Sequence, residues 1–166
     1  MDCSFTQDNK RFRYRAAGII IHDGKVLFAK NDKDDYYYSV GGAVKIGETV
    51  EEAVLREVFE ETGVHYDIDR LLFFHENFFT DVGGTLDGIE YHEISFYYLM
   101  KPKDITKFNC NSTTTGGAKE ELHWLPIDEL DKYKAFPEFL KDKLKNLNLD
   151  VQHVITRSWP KDRCIV

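Results

Sequence analysis

Cysteine is scarce in this chain: Cys3, Cys110 and Cys164 are its three thiols in 166 residues. They are odd in number, far apart and never spaced C-x-x-C. That argues against a disulfide framework or a zinc cluster, and free thiols fit a reducing cytosol. Long apolar runs are missing as well. Nothing approaches the roughly 20 consecutive apolar residues of a membrane span, and the opening "MDCSFTQDNKRFRYR" carries no apolar leader stretch. Positive charge is in deficit, with 22 Lys and Arg against 29 Asp and Glu and a net charge of -7. Such a chain is ill suited to neutralising a nucleic-acid duplex or holding an anionic membrane surface. A polyphosphate remains a compatible ligand through a bridging metal cation. Internal repeats, long linkers and low-complexity segments are also lacking. The expectation is one soluble cytoplasmic domain over residues 1–166, long enough for a full core, with residues 1–10 as a flexible or edge extension.

Aromatic residues are plentiful at 14%, and their runs mark strands. "DDYYYSV" (34–40), "RLLFFHENFFT" (70–80) and "YHEISFYYLM" (91–100) are of this kind. "RYRAAGIIIHDGKVLFAK" (13–30) reads as two strands around an Asp23-Gly24 hairpin turn. A further strand is expected at "LHWLPI" (122–127), and the tail "VQHVITRSW" (151–159) suits an edge strand. Gly-rich or polar loops fall at 81–89 and 110–120. Phe136, Phe139, Leu140, Leu144 and Leu147 recur at helical spacing, with Pro137 suited to the first turn. Strands and helices mix without βαβ alternation, which predicts an α+β fold.

Residues 42–64, "GAVKIGETVEEAVLREVFEETGV", hold six glutamates against one lysine and one arginine. The second half predicts a helix. Thr49 followed by Glu52 is a capping-box pattern, Glu51 and Glu52 suit the positive end of the helix dipole, and Gly63 is a C-terminal stop. Val50, Ala53 and Val54 form an apolar stripe at i, i+3, i+4, and its continuation is Glu57, Glu60 and Glu61. A second stripe, Leu55, Val58, Phe59 and Thr62, predicts packing on more than one side. Glutamates at this spacing ordinarily form a solvated face, where like-charge pairs cost only ~0.2–0.5 kcal/mol each. On a line that begins apolar they would instead be partly buried, and ionised only beside a cation. All-oxygen ligands favour Mg2+, Mn2+ or Ca2+ over zinc.

Gly42, Glu48 and "REVFEETGV" complete a longer pattern. It resembles the Nudix box, G-x5-E-x7-R-E-U-x-E-E-x-G-U with U a bulky aliphatic residue. Gly42, Glu48, Arg56, Glu57, Val58, Glu60, Glu61, Gly63 and Val64 all fall on it. The resemblance implies an α/β/α sandwich around a mixed sheet. It also implies hydrolysis of the diphosphate linkage in a nucleoside diphosphate joined to another group X, with Mg2+ or Mn2+. Glu57, Glu60 and Glu61 would be metal ligands, held by Arg56 and Glu48 through a two-pronged guanidinium–carboxylate contact. Gly42 would let metal or substrate approach the backbone. Members of the family often add an acidic residue from outside the box. Glu121 is expected there, with Glu120 its near competitor, and Glu57 or Glu121 would be the general base.

The chain departs from the family pattern at Val40, where a proline often precedes the two glycines. Markers of ADP-ribose, dinucleoside polyphosphate and coenzyme A substrates are absent, so the resemblance implies a small phosphorylated, nucleotide-derived substrate and no more. Lys30, Tyr38 and Phe79 are the expected substrate contacts. Tyr36, Tyr37, Phe78 and Tyr91 are further aromatics near them, more often core than ligand contact. His92 and Glu93 point to opposite faces of a strand, so one of them faces the site. A symmetric homodimer is compatible with all of this. Two other functions fit the same box: a nucleotide sensor that cleaves nothing, and an isoprenoid-diphosphate isomerase that releases neither phosphate nor nucleoside monophosphate.

Overall fold

Along "RAAGII" (15–20) the side chains alternate between two packed faces. In the computed structural model, which describes residues 1–82, 87–108 and 117–159, Ala17 and Ile19 enter one hydrophobic cluster while Ala16 and Ile20 enter a second. A strand of period two feeds two cores only when both of its faces are covered. This strand, β2 (Lys10–Ile19), follows a short edge strand, β1 (Ser4–Gln7). Next come β3 (Ile21–His22), β4 (Lys25–Asn31), β5 (Tyr37–Ser39), β6 (Gly41–Ala43) and α1 (Val50–Thr62). The chain continues through β7 (Ile68–Thr80), β8 (Glu90–Met100), β9 (Glu120–Pro126), a 3-10 segment (Ile127–Lys132), β10 (Ala135–Phe136), α2 (Leu140–Lys143) and β11 (Gln152–Arg157).

The strands form two mixed sheets. One runs β1-β2-β8-β7-β11, with β6 also paired to β2; the other runs β10-β5-β4-β3, with β9 along β4. The β2–β8, β7–β11 and β5–β10 pairs are parallel. α1 covers one face, setting Ala53, Val54 and Val58 against Val40, Val44, Tyr98 and Met100. The 3-10 segment and α2 cover the other, with Leu130, Leu140 and Leu144 in the cluster of Phe28, Phe73 and Tyr97. The result is the expected α+β fold, an α/β/α sandwich. Among the described residues no helix is long and apolar enough to cross a membrane.

Three local expectations change, while the edge extension at the start of the chain is present. The Asp23-Gly24 turn is present, with positive φ at both residues, but the strand before it changes sheets near Ile20, so the tight hairpin spans only Ile21–Val26 and His22–Lys25. Residues 4–7 form a paired edge strand on β2. The helix expected over 136–147 is short. Phe136 pairs with Tyr38 in β10, Pro137 follows a cis peptide bond, and helical geometry is confined to 140–143. Its apolar spacing still marked buried positions, since Leu140 and Leu144 are core and Phe139 and Leu147 pack against it. On α1, Val58 and Thr62 are buried while Leu55 and Phe59 are exposed. Phe59 instead stacks on His65, so the helix has one buried side. Parts of the expected loops, at 83–86 and 109–116, lie outside the described residues, as do Cys110 and Cys164.

Candidate active site

The ends of α1 fix where its glutamates stand. Thr49 Oγ1 accepts a hydrogen bond from Glu52 N (3.2 Å), and Glu52 Oε2 accepts one from Thr49 N (2.8 Å), which completes the capping box. Gly63, at φ 71°, donates its N–H to Phe59 O and closes the helix. Arg56 then ties the helix to the preceding loop. Its Nε and Nη2 donate to Glu48 Oε1 (2.7 Å) and Oε2 (2.9 Å), and Nη2 also reaches Ala43 O (3.1 Å). Its Nη1 donates to Glu57 Oε1 and to Glu60 Oε2 (3.2 Å). The Arg56 guanidinium and the Lys45 N–H hold the Glu48 carboxyl down to about 2.

Glu57 lies against the backbone of β6. A Cβ on Gly42 would stand 2.5 Å from Glu57 Cδ and 2.7 Å from Oε1. The group that Gly42 admits is therefore the Glu57 carboxylate, where the expectation was a metal or substrate. Gly42→Ala is predicted to push the Glu57 carboxylate off its Arg56 contact, at a cost of about 1 kcal/mol in urea unfolding. Metal-dependent turnover should fall by roughly 100-fold, because an ångström of misplacement is costly in a site. Steady-state kinetics checks this.

Glu61 is 7% exposed. Its Oε1 accepts the Gly41 N–H (2.9 Å), while Oε2 is buried with no hydrogen-bond partner. Burial pushes its carboxyl up to about 8; the Gly41 N–H and Arg15 oppose this, and Glu120 and Glu57 reinforce it. Burial also raises Glu57, against the pull of Arg56. Glu120, at the start of β9, is buried as well and accepts a 2.5 Å hydrogen bond from the Tyr38 hydroxyl. Burial, helped by Glu120, raises the Tyr38 hydroxyl and keeps it a donor. Arg15, on β2, is 7% exposed and donates to Ser39 Oγ (2.9 Å), Ser39 O (2.6 Å) and Gly41 O (3.0 Å).

The NUDIX domain family model matches residues 12–147 of this chain. The chain belongs to the Nudix family. Among its relatives, a MutT-like protein of Streptomyces ambofaciens is 27% identical over 120 residues, covering 72% of this chain and 67% of the relative. An ADP-ribose pyrophosphatase of Methanocaldococcus jannaschii is 45% identical over 58 residues, which are 33% of this chain and 34% of that one. The match to the second relative thus spans about a third of its length. A MutT protein of Methanosarcina mazei superposes with a TM-score of 0.61 at 16% identity, over 81% of this chain and 91% of the other. That likeness is one of fold.

Nudix hydrolases generally need divalent metals, and the donor set here suits one. Among the described residues no three carboxylate, imidazole or thiol side chains already converge on a common point. Glu57 and Glu60 are drawn to Arg56, and Glu61 to Gly41. The buried Glu61 Oε2, however, is an oxygen without a proton donor, with the charges of Glu57 and Glu120 nearby. Burying such a group is costly until it gains a proton or a cation, and oxygen donors alone select a hard ion.

Other expected site residues fall elsewhere. Glu121 does not join this Nudix carboxylate group. It is 65% exposed beside His123 and stands opposite Lys30 in the β4–β9 register. Lys30 Nζ sits over the Tyr37 ring at 5.1 Å, and these four side chains line a surface cavity of about 470 Å³. Glu120, one position earlier, takes the face that Glu121 was expected to take. Strand alternation explains the correction for Glu121, and Lys30 moves away with it. Phe79 stacks on Tyr91 at 4.7 Å. Tyr91 lies beneath Arg11 and Arg13, and Arg13 pairs with buried Glu93. Glu93 thus faces the side of β2 that carries Arg15, whereas His92 stacks on Phe78 behind it.

Proposed function

We propose that this Nudix protein hydrolyses the diphosphate linkage of a small, nucleotide-derived compound, a nucleoside diphosphate joined to a group X, with Mg2+ or Mn2+. The observation that carries this is the buried, unpartnered Glu61 Oε2, set beside Glu57 and Glu120 within an Arg56–Glu48 brace. Glu57, Glu60 and Glu61 hold the metal, and Glu120 takes the part expected of Glu121. A bound divalent ion supplies charge neutralisation for the bridging phosphates and an acidified water. Glu57 or Glu120 accepts the proton. Tyr38, kept protonated, donates beside Glu120, and Phe79 with Tyr91 offers an aromatic surface toward X. The relative named as an ADP-ribose pyrophosphatase supports a diphosphate substrate. A reducing, cytosolic setting and a homodimer belong to this reading as proposals.

A panel of nucleoside triphosphates, nucleotide sugars, ADP-ribose, dinucleotides and CDP-alcohols, run with Mg2+ and with Mn2+, tests it. Glu61→Gln should lower turnover of the preferred class by at least about 100-fold. Full turnover by Glu61→Gln would overturn the metal assignment. Binding with no turnover anywhere would shift the reading to a sensor.

A further inference from the structure

The segment Ser39-Val40-Gly41-Gly42 runs from the end of β5 into β6 and carries the contacts that seat two carboxylates, yet it holds two glycines and no proline. Left alone, such a segment is soft. Pairing of Ser39 with β4 and of Gly41 and Gly42 with β2 holds part of it, and three further contacts restrain it. Gly18 N donates to Val40 O (3.0 Å). Gly41, at φ 137°, sits so close to β2 that a Cβ there would lie 2.6 Å from Ala17 Cα. The third restraint is Arg15, a buried cation whose fork spans Ser39 Oγ, Ser39 O and Gly41 O. The same Gly41 peptide region faces both ways. Its carbonyl accepts from Arg15 Nη2, and its N–H donates to Glu61 Oε1 at 2.9 Å.

We propose that Arg15 is a positioning residue for the metal site: by clamping Ser39 and Gly41 it aims the Gly41 N–H at Glu61 Oε1 and so leaves Oε2 as the oxygen offered to the cation. This rests on the proposed metal-dependent function. It reaches beyond it, because Arg15 lies 27 residues ahead of the first box position, Gly42, and hydrogen-bonds to none of the three proposed metal ligands.

The charge-retaining substitution Arg15→Lys separates positioning from charge. Arg15 is a cation close enough to Glu57 and Glu61 to favour their ionised forms. If its charge alone mattered, a lysine in its place would keep Mn2+ binding at the parent level. If it positions Glu61, removing it must weaken binding. A lysine keeps the charge but lacks the planar fork that spans three acceptors.

The test titrates metal-free protein with Mn2+ alone and reads free Mn2+ by electron paramagnetic resonance. Parent, Arg15→Met, Arg15→Lys and Ser39→Ala are compared, with thermal melting as the folding control. Kd is expected to rise by roughly tenfold or more in both Arg15 variants, the range seen when groups that orient metal ligands are removed. In Ser39→Ala, which loses the Oγ acceptor alone, a smaller rise is expected. Unchanged or tighter binding in either folded Arg15 variant overturns the proposal. Should the Arg15 variants fail to fold, an unchanged Kd in Ser39→Ala overturns it. If the parent binds no Mn2+, the metal reading under Proposed function fails and takes this one with it. If the parent binds and the variants bind equally, only the role of Arg15 falls.

Discussion

Arg56→Ala is expected to lower metal-dependent turnover by roughly 100-fold or more, through loss of ligand orientation, and to cost about 2 kcal/mol of stability. The stability figure is reduced from the ~3–5 kcal/mol of a fully buried pair, because the Arg56 and Glu48 side chains stay 20% and 15% exposed. Arg56 satisfies both Glu48 oxygens, one oxygen each of Glu57 and Glu60, and the Ala43 carbonyl. Alanine leaves two mostly buried carboxylates, Glu48 and Glu57, without their cation. Arg56→Lys is the sharper variant. It restores charge but cannot reach Glu48, Glu57 and Ala43 together, so turnover should fall nearly as far while part of the stability returns. Urea unfolding and steady-state kinetics on the two variants decide this. Full activity in Arg56→Lys would mean that charge, and not the fork, holds the site.

The brace was expected from the resemblance of residues 42–64 to the Nudix box, and its parts are local. Glu48 and Arg56 are eight residues apart, and helix caps at Thr49 and Gly63 fix their phase. Strand runs were equally legible, since aromatic and β-branched residues mark them whatever they pair with. What could not be read was pairing between distant segments. Choosing Glu120 over Glu121 needs the face of β9, which is set by its register on β4. Arg15 stands in a stretch that reads as apolar strand, and its acceptors lie 24 and 26 residues onward. The lost helix at 136–147 is of the same kind: its spacing reported burial, while the pairing of Phe136 with Tyr38 decided its backbone. Local pattern carries the glutamate-rich helix, and tertiary contact carries the residues packed around it.

Between pH 6.5 and 8 the metal-free protein is expected to lose stability as pH rises, against the common trend. Glu61 is the cause. Its carboxyl is pushed from 4.5 up to about 8 in the fold, so the native state keeps a proton that the unfolded chain has released. Stability from such a group is fully present below the unfolded value and is lost as pH climbs through the folded one. The groups facing Glu61 are Glu57 on α1, Glu120 on β9, Arg15 on β2 and the Gly41 N–H on β6. Burial raises Glu57 in the same direction, against the pull of Arg56. Buried His75 works the other way, since burial lowers it from 6.5 to about 4 and its contribution grows with pH up to 6.5. That leaves 6.5 to 8 as the window in which Glu61 dominates, with a fall of about 1–2 kcal/mol. Urea unfolding in EDTA at several pH values measures it. Glu61→Gln should flatten the slope, and added Mg2+ should stabilise the parent more at pH 8 than at 6.5, because a cation binds the ionised carboxylate. A parent protein whose stability in EDTA stayed level or rose across this window would show that Glu61 is already ionised at neutral pH. The cost of its burial would then be met by Arg15 and the Gly41 N–H alone.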